Sequence, residues 1–218
     1  MPKTPRPIRR LFDGVLSFRE RAFPAKRQLF ERLATGQNPH TLFITCADSR
    51  ISPELITNSG PGDMFICRNI GNIVPAYGEM MGGVSAVVEY ACTALGVADV
   101  VVCGHSDCGA MKGLLDPEKA GLSKMPTVAS WLRNAEAARS VVAVTKPDLT
   151  GDALVEALVE QNVKLQLGHL RTHPAVAAGL ADGRLTLHGW VYDIKSGQVS
   201  EFDKDDKNLR PISSASGA

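Results

Sequence analysis

Two short, unbroken apolar runs constrain this chain most: Thr41-Leu-Phe-Ile-Thr45 and Asp99-Val-Val-Val-Cys103. A strand with one wet face alternates apolar and polar residues, whereas a strand apolar at every position is buried on both faces. Met64-Phe-Ile-Cys67, after the Pro61-Gly62 turn, reads as another short strand. Residues 184–193 read as a longer one, turning at Ser196-Gly197 into a strand over 198–202. Helical patterns lie between them: Gly82 to Leu95, with small residues on one face and a stop at Gly96, then Pro126 to Val144 and Asp152 to His169. Residues 7–34 read as two helical pieces broken near Pro24, with Leu29, Phe30 and Leu33 at helical spacing. Strands alternating with helices imply an α/β fold, a mainly parallel central sheet flanked by helices, preceded by an N-terminal helical arm.

The length of 218 residues suits a single domain running from residue 1 to 218, with the arm at 1–34 and a frayed Ser-, Ala- and Gly-rich tail at 211–218. A net charge of +1 offers no surface for nucleic acid or for a strongly charged partner. The basic cluster of Lys3, Arg6, Arg9 and Arg10 reads as a solvated terminus. No stretch reaches the ~18 apolar residues of a membrane span, and no secretory core is present, so a cytoplasmic protein is expected. The five cysteines are odd in number and none is spaced as a disulfide framework. In a reducing compartment such residues serve as metal ligands, catalytic groups or small core residues.

Ligands gather at the carboxyl ends of strands in sheets of this kind. Cys46 ends the first buried run, and His105-Ser-Asp-Cys108 follows the other. Alone, Cys46 reads as a core residue and His105-x-x-Cys108 as a weak motif. If the two strands are neighbours their tips lie about 5 Å apart, within reach of one ion. Cys46, His105 and Cys108 then form a Cys₂His set that suits Zn²⁺ and leaves one tetrahedral position open, the mark of a catalytic site. Cys103 falls roughly 6–7 Å deeper along its strand and reads as core, with Cys67 and Cys92. In an extended segment Asp48 and Arg50 would point the same way as Cys46. Alone they are a loop ion pair. Beside a three-ligand zinc, Arg50 can hold Asp48 off the metal by a bidentate pair, leaving Asp48 to accept a hydrogen bond from zinc-bound hydroxide. On residues alone the reading stops at a zinc enzyme. It leaves open a sensor with a closed four-ligand site, and a hydrolase of another small cumulated molecule such as carbon disulfide or carbonyl sulfide.

Cys46-Ala-Asp-Ser-Arg50 paired with His105-x-x-Cys108-Gly109, 59 residues after Cys46, resembles the signature of the β-carbonic anhydrases. The resemblance continues through Pro61-Gly62-Asp63, Arg68-Asn69-Ile70-Gly71-Asn72, Gly83-Val84-Ser85, Glu89-Tyr90 and Leu187-His188-Gly189-Trp190-Val191-Tyr192, over roughly residues 10 to 205. It implies a zinc lyase that interconverts carbon dioxide and bicarbonate by attack of zinc-bound hydroxide on CO₂. It also implies a homodimer as the minimum unit, with larger homo-oligomers in the family. Within the family, Gln37 resembles the substrate-binding glutamine of the open-site, plant-like type. The closed type has tryptophan three residues before its first cysteine, where this chain has Phe43. Bacterial enzymes of cyanate operons look especially similar. By the same resemblance Phe65, Ile70 and Tyr90 line a CO₂ pocket, partly from the neighbouring subunit, while Gln37 and the Gly109 N–H orient bicarbonate. Plain core packing is the alternative for the three apolar residues. His169, His173 and His188 are proton-shuttle candidates by residue type only, with ordinary structural roles expected.

Overall fold

The structure, a computed structural model, describes residues 7–79 and 82–213. Lys3, Arg6 and the tail beyond Ser213 lie outside the described residues. The chain divides into two compact units, one ending at Asn38 and one beginning at Pro39.

The first unit is helical: α1 Pro7–Ser17, a π-helical turn Phe18–Ala22, α2 Phe23–Ala25 and α3 Arg27–Leu33. The helix breaks at Lys26 (φ −116°, ψ 20°), two residues beyond the expected Pro24. Pro24 acts upstream instead. It has no N–H to give to the carbonyl four residues back, and the preceding turn widens to the π form. Phe18, Phe23 and Phe30 close a small cluster around this break, with ring centroids 5.2–6.0 Å apart.

The second unit runs β1 Thr41–Cys46, α4 Pro53–Thr57, β2 Met64–Asn69, α5 Gly83–Glu89, β3 Asp99–His105, α6 Gly109–Leu115, α7 Pro126–Leu132, α8 Glu136–Thr145, α9 Gly151–Leu170, α10 Pro174–Ala181, β4 Thr186–Tyr192, β5 Val199–Phe202 and β6 Leu209–Pro211. The sheet order is β2-β1-β3-β4-β5-β6. The first four strands are parallel, and β5 and β6 add antiparallel. The fold is therefore the expected α/β sheet flanked by helices. Some bounds differ. The 82–95 helix passes from α5 into a π turn at Tyr90–Leu95, and the 126–144 helix is split by a 3-10 turn at Arg133–Ala135. Residue 211, expected in the tail, closes β6 against β5.

β1 and β3 are buried along nearly their whole length, as unbroken apolar runs require. One face of the sheet, with Leu42, Ile44, Val100 and Val102, joins a core that includes Val163, Leu167 and Leu170 of α9. The helix lies so close that a Cβ on Gly189 would meet Leu167 Cδ1 at 2.8 Å and Val163 Cγ1 at 3.1 Å. Phe43, Val101 and Cys103 cluster on the other face, where the Trp190 ring meets Phe43 edge-on at 5.9 Å. The chain leaves β1 towards β2 on one side and passes from β3 towards β4 on the other. The carboxyl ends of β1 and β3 thus flank the switch point where α/β sheets open a crevice.

Candidate metal centre

Cys46 is the last residue of β1 and His105 the last of β3, and the two strands pair directly. After His105 the chain reverses through Asp107, whose φ of 59° is left-handed, a conformation aspartate tolerates better than most residues. The reversal brings Cys108 back to the same point. One ligand atom each from Cys46, His105 and Cys108 lie within 4.8 Å of one another, and all three residues are buried. Cys103, Cys67 and Cys92 stay in the core, as expected, with their thiols pushed up by burial, that of Cys103 to about 12.

These residues fit a metal ion on two observations. His105 Nδ1 is 2.8 Å from the Ser106 carbonyl, so it serves as the N–H donor, leaving Nε2 as a buried lone pair with no protein partner. The two thiols also act on one another, which makes them unequal in acidity. Cys46 is lowered to about 4, mainly because Cys108 donates to it, with help from the Gly71 N–H against the cost of burial. The same contact and burial hold Cys108 well above an ordinary thiol. A cavity that already carries a thiolate, a second thiol and an orphaned imidazole nitrogen matches a borderline-soft dication.

Asp48 stands at the rim, its Oδ2 4.0 Å from His105 Nε2. Arg50 grips both its oxygens, Nε to Oδ1 at 3.0 Å and Nη2 to Oδ2 at 2.8 Å. The guanidinium holds the carboxyl well below the usual carboxylate range. The pair forms as expected, but for a different reason. Residues 49–50 form a turn rather than an extended strand, closed by the Ile51 N–H on the Asp48 carbonyl at 3.1 Å and the Arg50 N–H on Asp48 Oδ1 at 3.0 Å.

Sequence reasoning missed two residues that brace these loops, Asp107 and Arg68. Asp107 accepts from Arg50 Nη1 at 2.7 Å and pairs with Lys112, so Arg50 fastens the β1 loop to the β3 loop. Arg68, on β2, donates to the Cys46 carbonyl at 3.2 Å and to the Asp48 carbonyl at 2.6 Å. Arg68 sits in the Arg-Asn-Ile-Gly-Asn motif, and that was its only signal.

The remaining candidates do not all converge within one chain. Ile70 follows β2 directly and is 41% exposed, next to Gly71, whose N–H reaches Cys46 Sγ at 3.4 Å. Gly109 opens α6, with open space around the position a Cβ would take. Phe65 and Tyr90 touch each other, centroids 5.8 Å apart. However, Phe65 pairs with Leu42 whereas Asn69 pairs with Cys46, a separation of about 13 Å along the strand. Tyr90 is 50% exposed, so simple core packing does not describe it. Gln37 lies exposed in the first unit. The histidines have structural partners: His169 the Val74 carbonyl at 2.7 Å, His173 the Pro75 carbonyl at 3.0 Å, and His188 the carboxylates of Glu201 and Asp99 at 2.6 and 3.0 Å.

A family model described as carbonic anhydrase matches residues 41–199. The carbonic anhydrase of Pseudomonas aeruginosa is 54% identical over 196 residues, which are 90% of this chain and 88% of that protein. Among solved structures, the β-carbonic anhydrase CcaA superposes with a TM-score of 0.92 at 45% identity, covering 95% of this chain and 93% of that one. A structure from a study of two tetrameric β-carbonic anhydrases of Sordaria macrospora gives 0.79 at 30% identity, covering 89% and 95%. The sheet, the paired ligand loops at its switch point and these relatives agree: the chain belongs to the β class of the carbonic anhydrase family.

Proposed function

We propose that this protein is a zinc-dependent carbonic anhydrase of the open-site, plant-like type, reversibly hydrating CO₂ to bicarbonate and a proton. The observation that carries the reading is the bidentate grip of Arg50 on Asp48 beside a three-ligand Cys46–His105–Cys108 centre. Zinc bound there supplies Lewis acidity enough to ionise water near neutral pH, the nucleophile for CO₂. With two thiolates already neutralising a dication, a third anionic ligand would quench that acidity, and Arg50 keeps Asp48 in reserve. Asp48 is then an acceptor, ionised across neutral pH, that takes a hydrogen bond from the nucleophile and turns its lone pair towards substrate. Gly109, with no side chain, leaves room for bicarbonate beside the first turn of α6. Gln37 is assigned the second donor, stabilising the oxygen that gains charge.

Phe65, Ile70 and Tyr90 are assigned to a CO₂ pocket completed by a second copy of the chain. The separation of Phe65 from the ligand level supports this, as do the exposed side chains of Ile70 and Tyr90 and the tetrameric relatives. Self-association also gives a use for α1. Its Ile8, Leu11, Phe12, Val15 and Leu16 form an apolar stripe that is at least 47% exposed at every position. A cytoplasmic setting agrees with five free, buried cysteines.

Stopped-flow CO₂ hydration with a pH indicator tests the reading, using zinc-replete protein from about pH 6.5 to 9, a range that brackets ionisation of a zinc-bound water. Rapid hydration near pH 7 is expected. Hydration only at the alkaline end would reject the open-site assignment, and none at any pH with zinc bound would reject the activity.

A further inference from the structure

The peptide between Ile70 and Gly71 carries hydrogen bonds at both ends. Its N–H, from Gly71, donates to Cys46 Sγ at 3.4 Å. Its C=O, from Ile70, accepts from the indole Nε1 of Trp131 at 2.8 Å. The bond is trans, and a trans peptide directs these two groups to opposite sides. Indole, peptide and sulfur therefore form a single file of donors and acceptors aligned in one direction, and bonds in series polarise one another.

The rest of the turn is held so that this peptide cannot rotate away. Gly71 has a φ of +77°, and a Cβ there would stand 2.9 Å from Ala110 Cβ. Its own carbonyl accepts from Asn162 Nδ2 at 3.0 Å. Asn162 accepts in turn from Gln166 Nε2 at 2.8 Å, and Gln166 Oε1 accepts from the Val74 N–H at 2.9 Å. Asn162 and Gln166 are almost wholly buried on α9, where apolar residues would fill the space without desolvating an amide. Trp131 reaches the same turn from α7, on the side away from the sulfur.

We propose that Trp131 is a positioning residue for the metal centre: its indole N–H aligns and polarises the Ile70–Gly71 peptide against Cys46, draws charge from that sulfur, and so leaves the bound ion a stronger Lewis acid. The inference rests on the metal reading above and adds a residue that touches neither ligand nor substrate. A sulfur that loses a hydrogen bond donates more charge to its metal and gives up an electron more readily. Trp131→Phe keeps a ring in place and removes only the donor, so both changes follow from it.

The test uses full-length protein loaded with cadmium-113 and labelled with ¹⁵N-glycine, and in parallel the cobalt-substituted protein. In the unaltered protein the Gly71 amide proton shows through-bond coupling to cadmium. In Trp131→Phe that coupling weakens, the Gly71 proton moves upfield, and the cobalt–thiolate charge-transfer band moves to longer wavelength. Trp190→Phe, on the opposite sheet face from α9, leaves all three readings unchanged. A folded Trp131→Phe protein with the same coupling and the same band would overturn the proposal. So would loaded unaltered protein with no Gly71 coupling, a result that needs no variant to fold. Failure to take up zinc, cobalt or cadmium at all is a separate outcome, which overturns the metal reading itself.

Discussion

At the scale of single residues, the site depends on which groups are kept charged and which are kept apart. Asp48 is held in its anionic form because Arg50 meets it along both oxygens, and on the proposed reading that same grip would keep it from a metal ion. Asp48→Asn retains the shape and one acceptor oxygen but loses the charge. Arg50 keeps its bonds to Asp107, at 2.7 Å to Oδ2 and 3.2 Å to the carbonyl, so the two ligand loops stay joined. We therefore expect the variant to bind one zinc per chain, by elemental analysis, while CO₂ hydration falls by at least about 100-fold, the usual scale for a lost acid–base partner. Normal turnover would remove Asp48 from the mechanism. The clustering of Cys46, His105 and Cys108 was legible because cysteine and histidine at two buried strand ends are chemically conspicuous. Asp107 and Arg68 were not, since an aspartate and an arginine in polar segments look like any solvated pair until the fold brings together loops 57 residues apart.

At the scale of elements, continuous apolar runs marked β1 and β3, and periodicity marked α9. The short helices α4, α6 and α10 escaped because five to eight residues give too little period to detect. In α4 and α10 the opening proline reads as a breaker, although it is well suited to a first helical turn. The role of α9 was only half visible. Its apolar positions announce a core helix, while Asn162 and Gln166 look like solvent positions and are in fact buried against the Gly71–Pro75 segment. That segment has no strand partner, so its backbone groups depend on side chains. Gln166→Leu strands the Val74 N–H in the core. We expect a loss of about 1–3 kcal/mol, the cost of an unsatisfied buried donor, read from urea unfolding with zinc held saturating. An unchanged midpoint would mean that the segment finds other partners.

At the scale of the whole molecule, charge is unevenly spread. Residues 1–38 carry nine Lys and Arg against three Asp and Glu, leaving the rest of the chain with fifteen against twenty. The α1 stripe adds apolar surface to the basic arm. Leu11→Glu with Phe12→Glu should shift sedimentation equilibrium towards smaller species, and added salt should weaken the assembly of the unaltered chain. Assembly that ignores both would exclude the arm from the contact. The proposed zinc would act at this scale too, because Cys46 and His105 come from strand ends 59 residues apart and unfolding scatters them. The unequal acidity of Cys46 and Cys108 then acquires a measurable meaning. Cys46 is made the more acidic thiol by the contact with Cys108, whereas the same contact and burial hold Cys108 well above an ordinary thiol. Loading the folded protein near pH 7 is therefore expected to expel one proton rather than two. Competition with a chelator of known affinity should show zinc binding strengthening about tenfold for each unit of rising pH, and calorimetry in buffers of different ionisation heat should count the single proton released. A slope of two would mean that both thiols wait protonated for the metal. With a slope of one, the empty centre is already half-prepared, holding in its folded state the negative charge that draws the ion in.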